Sequence, residues 1–226
     1  MKIVVIGGSG RIGANVVRRL AAHGHDPVPA SPATGVDTIT GEGLADVMAG
    51  ADVVVDVSNA PVWDDDAVRE FFTTSTRNQL AAERDAGVGH HLAVTIVGAD
   101  RVPDSGYLSA KVAQEAEMEA GSIPYTILRA TQFFEFLPQI VEAGAEDDSV
   151  RLSTGLKQLV AADDVAATVA ELATGAPVAS SATVAATSSA PTSCMSPVES
   201  RTLSSSAPAS TIWGRNSKNC VARRMV

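Results

Sequence analysis

In the stretch SGYLSAKVAQE (105–115), Tyr107 stands four positions ahead of Lys111. Residues four apart on a helix share a face. An ammonium so placed favours the phenolate and lowers the tyrosine pKa from its ordinary value near 10. A phenol tuned in this way can act as general acid or base near neutral pH. The same lysine can instead hydrogen-bond a ribose and move no proton. Thr95, twelve residues before Tyr107, is the only hydroxyl in the apolar run HHLAVTIVG and is a candidate donor to a substrate carbonyl. The spacing alone proves little, so its place in the chain has to decide.

A second group of residues points to phosphate. Gly8, Gly10 and Gly13 match G-x-G-x-x-G, and Gly7, Gly10 and Gly13 match the variant G-x-x-G-x-x-G, within GGSGRIG. Glycines there permit a tight turn and let the backbone approach a pyrophosphate at the N-terminus of the following helix. The whole loop (Gly7, Gly8, Ser9, Gly10, Arg11, Ile12, Gly13) is therefore a candidate dinucleotide cradle. NAD enzymes with this loop usually carry an acid at the end of the second strand. Here that place reads PASPA, and Ser31 with Arg11 can receive a 2′-phosphate, so NADP(H) is expected over NAD(H). Ser58 and Asn59, at the carboxyl end of a later strand, are candidates for ribose or pyrophosphate contact.

The elements that must position these groups alternate. KIVVI (2–6) is a β-branched run suited to a strand buried on both faces, and ANVVRRLAAHG (14–24) has helical spacing. HDPVPA (25–30) should be a second strand, made irregular by Pro27 and Pro29. A short strand is expected at 35–39, a short helix at 41–50, and strands at 51–60, 90–98 and 124–130. Helices are expected at 64–87, 106–120, 131–143 and 163–175, the last capped by Asp163 or Asp164. Strands alternating with helices imply an α/β fold: a doubly wound, Rossmann-like parallel sheet with helices on both faces. Asp64, Asp65 and Asp66 complement a helix dipole rather than bind metal. His90 and His91 lack partners at ligand spacing and are taken as structural. No metal site is expected.

Composition sets bounds. The chain has 226 residues, 45% hydrophobic, with a net charge of −9. An acidic body disfavours nucleic acid. No apolar run reaches the roughly 18 residues needed to span a bilayer, and MKIVVIGG is too short for a secretory leader. We expect a cytoplasmic protein acting on a small molecule. Its two cysteines, Cys194 and Cys220, imply no disulfide framework.

In this order, GGSGRIG, VDTITGEGL (36–44), DVVVDVSNA, YLSAKVAQE, IPYTILRATQFF (123–134) and AADDVA (161–166) resemble the short-chain dehydrogenase/reductase superfamily, and more narrowly its atypical, NmrA-like members. The resemblance covers about residues 1–175. It implies that the Tyr107–Lys111 helix lines a nicotinamide site and that Asp37 touches the adenine. It also implies that Phe133, Phe134 and Phe136 follow the strand facing the nicotinamide, where we take them as core. That superfamily places a serine upstream of the tyrosine, where this chain has Thr95. The resulting expectation is an NADP(H)-dependent oxidoreductase reducing a small carbonyl, quinone or flavin-like acceptor. An NADP(H)-sensing regulatory protein and a nucleotide-sugar epimerase or dehydratase are the alternatives.

Beyond about residue 176 the alphabet changes. Residues 1–176 hold twelve basic and twenty-five acidic side chains, whereas 177–226 hold five and one. The run PVASSATVAATSSAPTSCMSPVESRTLSSSAPASTI has no strand or helix period and too little apolar bulk for a core. Two readings account for it: a natural disordered tail, or, as we favour, a change of reading frame near residue 177. On either, the substrate lobe usual in the family is missing.

Overall fold

The computed structural model describes residues 1–146, 149–151 and 158–178. Five strands, β1 (Lys2–Ile6), β2 (Asp26–Ala30), β3 (Val53–Asp56), β4 (His90–Ile96) and β5 (Tyr125–Ala130), form a wholly parallel sheet in the order β2-β1-β3-β4-β5. The winding reverses between β1 and β3. In open parallel sheets, ligands bind beyond the carboxyl ends of the strands at such a point. The described helices are α1 (Arg11–Ala22), α2 (Leu44–Met48), α3 (Asp65–Ala86), α4 (Gly106–Ala120), α5 (Leu137–Ala143) and α6 (Ala162–Thr174). Four two-residue strands complete the description: β6 (Gln132–Phe133), β7 (Ala145–Glu146), β8 (Ser149–Val150) and β9 (Leu159–Val160).

Both faces of the sheet are covered, which is why its central strands are continuous apolar runs rather than alternating ones. Ile3, Val5, Val53, Val55, Leu92, Val94 and Leu128 pack against Val16 and Leu20 of α1 and Val165 and Val169 of α6. Val4, Ile6 and Val54 point to the other face, against Leu44 and Met48 of α2. Under α3 and α4 that face turns polar: Asp56, His91 and Thr95 are all buried there. Among the described residues, no helix is long and apolar enough to cross a membrane.

Four local expectations need correction. Residues 35–39 form no strand. Asp37 Oδ1 instead accepts the N–H groups of Ile39 (2.7 Å) and Thr40 (3.2 Å), closing a turn. β2 is regular rather than disrupted, in register with β1 from Asp26 to Ala30. Asp26 N–H donates to Met1 O across the pair, so positions 27 and 29 look toward the open side. Both prolines thus blunt an edge, where a missing donor costs nothing, and they offer a further strand no N–H at either position. The segment after β5 does not enter a helix at once: Gln132–Phe133 pairs with Leu159–Val160, and helix α5 begins only at Leu137. Finally, α6 is capped neither by Asp163 nor by Asp164. Its Ala162 N–H donates to Glu135 Oε1 (3.0 Å), while Asp163 accepts from Arg18 and Arg19 of α1. The unstructured reading of the tail falls beyond residue 178, outside the described residues.

Candidate active site

The glycine loop leaves β1 and becomes α1 within four residues. Gly7 sits at φ +78°, a left-handed conformation that favours glycine. Its N–H donates to Ala30 O (2.9 Å) and its carbonyl accepts Gly10 N–H (2.9 Å), so the turn is tied to the end of β2. A Cβ on Gly13 would lie 2.2 Å from Gly7 O, and one on Gly8 would lie 2.7 Å from Pro29 Cα. Both positions are fixed by close backbone approach. Gly10 is the N-cap of α1 and supplies no side chain to the first-turn N–H groups, and that turn holds no acid. The positive end of the helix is thus left open, with exposed Ser9 beside it. Ile12 instead turns inward against the core.

Around this loop the structure gathers some predicted groups and separates others. Ser31 directly follows β2 and is buried, as is the Oγ of Ser58, two residues past β3; neither hydroxyl has a partner among the described residues. The Ser58 backbone lies where a Cβ on Gly7 would come within 3.0 Å of it. Two orphan hydroxyls flanking a glycine cradle fit a nucleotide bound across the switch point, which would satisfy them. Arg11 is not paired with Ser31. Its Nη1 donates to Glu135 O (2.9 Å) and its guanidinium lies 5.8 Å from the Phe136 ring centroid. That segment follows β5, at the opposite end of the strand order from β2. Asp37 spends its carboxylate on its own turn.

Ser105 caps α4 by accepting Leu108 N–H (3.4 Å), and the helix presents Tyr107 in its first turn. The Tyr107 hydroxyl donates to Asn59 Oδ1 (2.8 Å). The phenol therefore reaches the post-β3 loop that touches Gly7. Its ring packs near Phe72 (centroids 6.1 Å apart) and Trp63 (5.7 Å, tilted 46°), whose indole is 76% exposed. The expected lowering of this phenol by the lysine is not what the structure gives. Burial raises the Tyr107 pKa above its ordinary value. Lys111 is itself buried: its Nζ lies 4.1 Å from the Phe72 ring centroid and donates to Gln114 Oε1 (2.7 Å). Burial lowers it to about 8, against the opposing pull of Asp56 and Glu115. The Thr95 hydroxyl donates to Glu115 Oε1 (2.6 Å), a carboxylate also bound by Arg129.

Sequence reasoning passed over Asp56, Gln114, Glu115, Glu135 and Trp63. Asp56 carried a signal, as the one acid inside a doubly buried strand. Gln114 sits three residues after Lys111, on the same helical face. Glu135 and Trp63 carried none, since their partners come from distant parts of the chain. Phe133 packs on the core and edge-to-face on Phe136 (5.7 Å), while Phe134 is exposed. Among the described residues, no cluster of three or more His, Cys, Asp or Glu is placed to hold a metal.

A parallel sheet with a glycine cradle at its switch point defines a Rossmann-type nucleotide-binding protein. The chain belongs to the NAD(P)H-binding family, whose family model matches residues 7–175. It is 24% identical over 151 residues to the photosystem II assembly factor Ycf39 of Synechocystis sp.; the match takes in 61% of this chain and 46% of that protein, so this chain spans less than half of its relative. Similar solved structures include UDP-N-acetylglucosamine 4-epimerase from Bacillus cereus (TM-score 0.64, 15% identity, 81% of this chain and 77% of the other). A second is the Citrobacter sp. triphenylmethane reductase complexed with NADP(H) (0.58, 21%, 77% and 66%). A third is a short-chain dehydrogenase/reductase superfamily protein from Agrobacterium tumefaciens with bound NAD (0.64, 19%, 83% and 77%). At these identities the likeness shows the fold alone, a Rossmann-type parallel sheet with helices on both faces.

Proposed function

We propose that this chain is an NADP(H)-dependent oxidoreductase of the atypical short-chain type, reducing a small carbonyl, quinone or flavin-like acceptor. The observation that carries the reading is the Tyr107–Asn59 hydrogen bond, which joins the phenol to the loop beside Gly7. The first turn of α1 takes the pyrophosphate, and the hydroxyls of Ser31 and Ser58 take ribose or phosphate oxygens. The lack of an acid after β2 supports NADP(H) over NAD(H). When bound, the nicotinamide supplies the hydride.

The chain's own part is to bind, orient and protonate. Burial raises the phenol and makes it a weaker acid, so its proton moves only as negative charge builds on the acceptor oxygen. Tyr107 gives its proton to the acceptor oxygen as the hydride reaches the acceptor, and regains one from solvent. Lys111 serves the ribose. The Thr95 proton is committed to Glu115, so we assign the acceptor oxygen to Tyr107. The exposed Trp63 indole beside the phenol favours a flat, conjugated acceptor over a nucleotide sugar, by stacking. We place this activity in the cytoplasm, with no nucleic-acid or membrane partner, in keeping with the acidic charge.

One observation favours the second reading, an NADP(H) sensor without turnover: the polar atoms of Tyr107, Lys111 and Thr95 are all already bonded to protein groups. Fluorescence titration of NADPH against NADH, followed by a quinone and aldehyde panel with Tyr107→Phe as control, separates the two. We expect tighter NADPH binding and turnover that falls by roughly 10²-fold or more in the variant. Unchanged turnover in Tyr107→Phe refutes the proton role. A silent panel with tight NADPH binding supports the sensor.

A further inference from the structure

Six buried polar residues form an unbroken hydrogen-bonded line beneath α3 and α4. Ser75 Oγ donates to Thr38 Oγ1 (2.8 Å), and Gln79 Nε2 donates to both Ser75 Oγ (2.9 Å) and Asp56 Oδ2 (3.2 Å). Gln114 Nε2 donates to the same Asp56 oxygen (3.0 Å), and Lys111 Nζ donates to Gln114 Oε1 (2.7 Å). The other oxygen of Asp56 accepts Ser58 N–H (2.9 Å). Asp56 is 1% exposed and held by three neutral donors; among the described residues no cation reaches it at ion-pair distance. A buried carboxylate without a paired cation is expensive, so its presence asks for a reason.

The polarity of the line supplies one. A carboxylate only accepts and an ammonium only donates. Gln114 lies between them and can satisfy both in a single orientation, with its NH₂ toward Asp56 and its carbonyl toward Lys111. With a neutral, two-way group at position 56 the amide could turn over, and Lys111 would lose its acceptor. We propose that Asp56 is a positioning residue that acts through Gln114 to fix the place and the charge of the Lys111 ammonium. The role rests on the oxidoreductase reading, in which that ammonium serves the cofactor ribose one helical turn from Tyr107.

The electrostatics point the same way. Burial pushes Lys111 down to about 8, and the charges of Asp56 and Glu115 hold it up against that. Glu115 is already engaged by Arg129 and Thr95, which leaves Asp56 as the anion on the β3 side. The other groups facing this pocket are the Phe72 ring of α3, the Tyr107 phenol of α4, and the Glu83–His91 pair between α3 and β4, whose imidazole also feels Asp56. Without Asp56, Lys111 discharges at lower pH, and NADPH binding weakens from that lower pH upward.

The test uses the full chain with ¹³Cε-labelled lysine. Its four lysines are Lys2, Lys111, Lys157 and Lys218, and Lys111→Met assigns the resonance of interest. The near-isosteric Asp56→Asn should lower the Lys111 midpoint by about one pH unit, a tenfold loss of proton affinity. It should lower the alkaline limb of NADPH binding by a similar amount. A folded Asp56→Asn protein whose Lys111 midpoint stays where it was overturns the proposal. Should that variant not fold, Gln114→Met keeps the carboxylate and cuts the line. It should likewise lower the midpoint and weaken NADPH binding roughly tenfold, and no change in either again overturns the proposal. The lysine titration needs no cofactor. A shifted midpoint in a chain that fails to bind NADPH therefore keeps the Asp56 role in fixing Lys111 and sinks the oxidoreductase reading instead.

Discussion

Replacing Gly13 by alanine probes the cradle most directly. The new Cβ would sit 2.2 Å from Gly7 O and 2.7 Å from Gly8 Cα. A non-bonded carbon settles roughly 3.5 Å from its neighbours, so loop and helix must separate by about 1 Å. Neither side gives easily. Gly7 is held at φ +78°, by its bond to Ala30 O and by the Gly10 N–H on its carbonyl. Gly13 itself has no positive φ, so the whole effect is steric. Overpacking of this kind costs about 1–3 kcal/mol, so a loss of about 2 kcal/mol is expected in urea unfolding. Because the clash moves the loop that would lie under the pyrophosphate, NADPH affinity should fall roughly 10²-fold, about 2.7 kcal/mol. Gly50→Ala is the control: φ is +70° but nothing lies within 4 Å of its Cβ. It should cost about 1 kcal/mol of stability and leave affinity alone. If Gly13→Ala binds NADPH as the wild type does, the loop is a plain turn and the cradle reading fails.

The paired histidines give opposite pH signatures. Burial, with a further push from His91, lowers His90 to about 4. Its neutral form is therefore the stabilised one, complete above about 6.5 and lost as pH falls toward 4, amounting to about 3 kcal/mol. In His90→Gln this acid limb of a pH–stability curve should flatten; an unchanged limb refutes the assignment. Burial alone would lower His91 as well, but the charge and hydrogen bond of Glu83 (Nδ1 to Oε1 2.7 Å), helped by Asp56, raise it. Its contribution is present below about 6.5 and lost as pH climbs through the raised value. Both partners are fully buried, so Glu83→Gln should cost about 3 kcal/mol near pH 6 and less at higher pH, measured by thermal unfolding. A loss that grows with pH would show that the pair is not ionised.

Much of the scaffold follows from short-range rules visible in the chain. β-branched runs between helical periods require a parallel sheet covered on both faces, and β1, β3 and β4 formed where those runs lie. The glycine spacing after β1 dictates a turn that opens a helix, because Gly7 and Gly13 have no room for a side chain. The helical period places Tyr107 and Lys111 on one side of α4, and Asp64 caps α3 through its own third neighbour, Ala67 (3.1 Å). Each of these is settled within about one helical turn or one strand–turn–helix unit.

What tertiary structure alone decided is which partner each polar atom meets. Arg11 turned to Glu135 O, 124 residues away, rather than to Ser31, because α1 and α6 pack on the same face and bring the post-β5 segment over the helix start. The prolines of β2 became harmless only once that strand lay at an edge. Shared helical face could suggest that Lys111 charges Tyr107, but burial reversed the expected shift of the phenol and turned the ammonium toward Gln114, fixed by Asp56 at a separation of 58 residues. Periodicity reports which way a side chain faces. The solvent it loses and the charges it meets come from segments far away in the chain, and those set its chemistry.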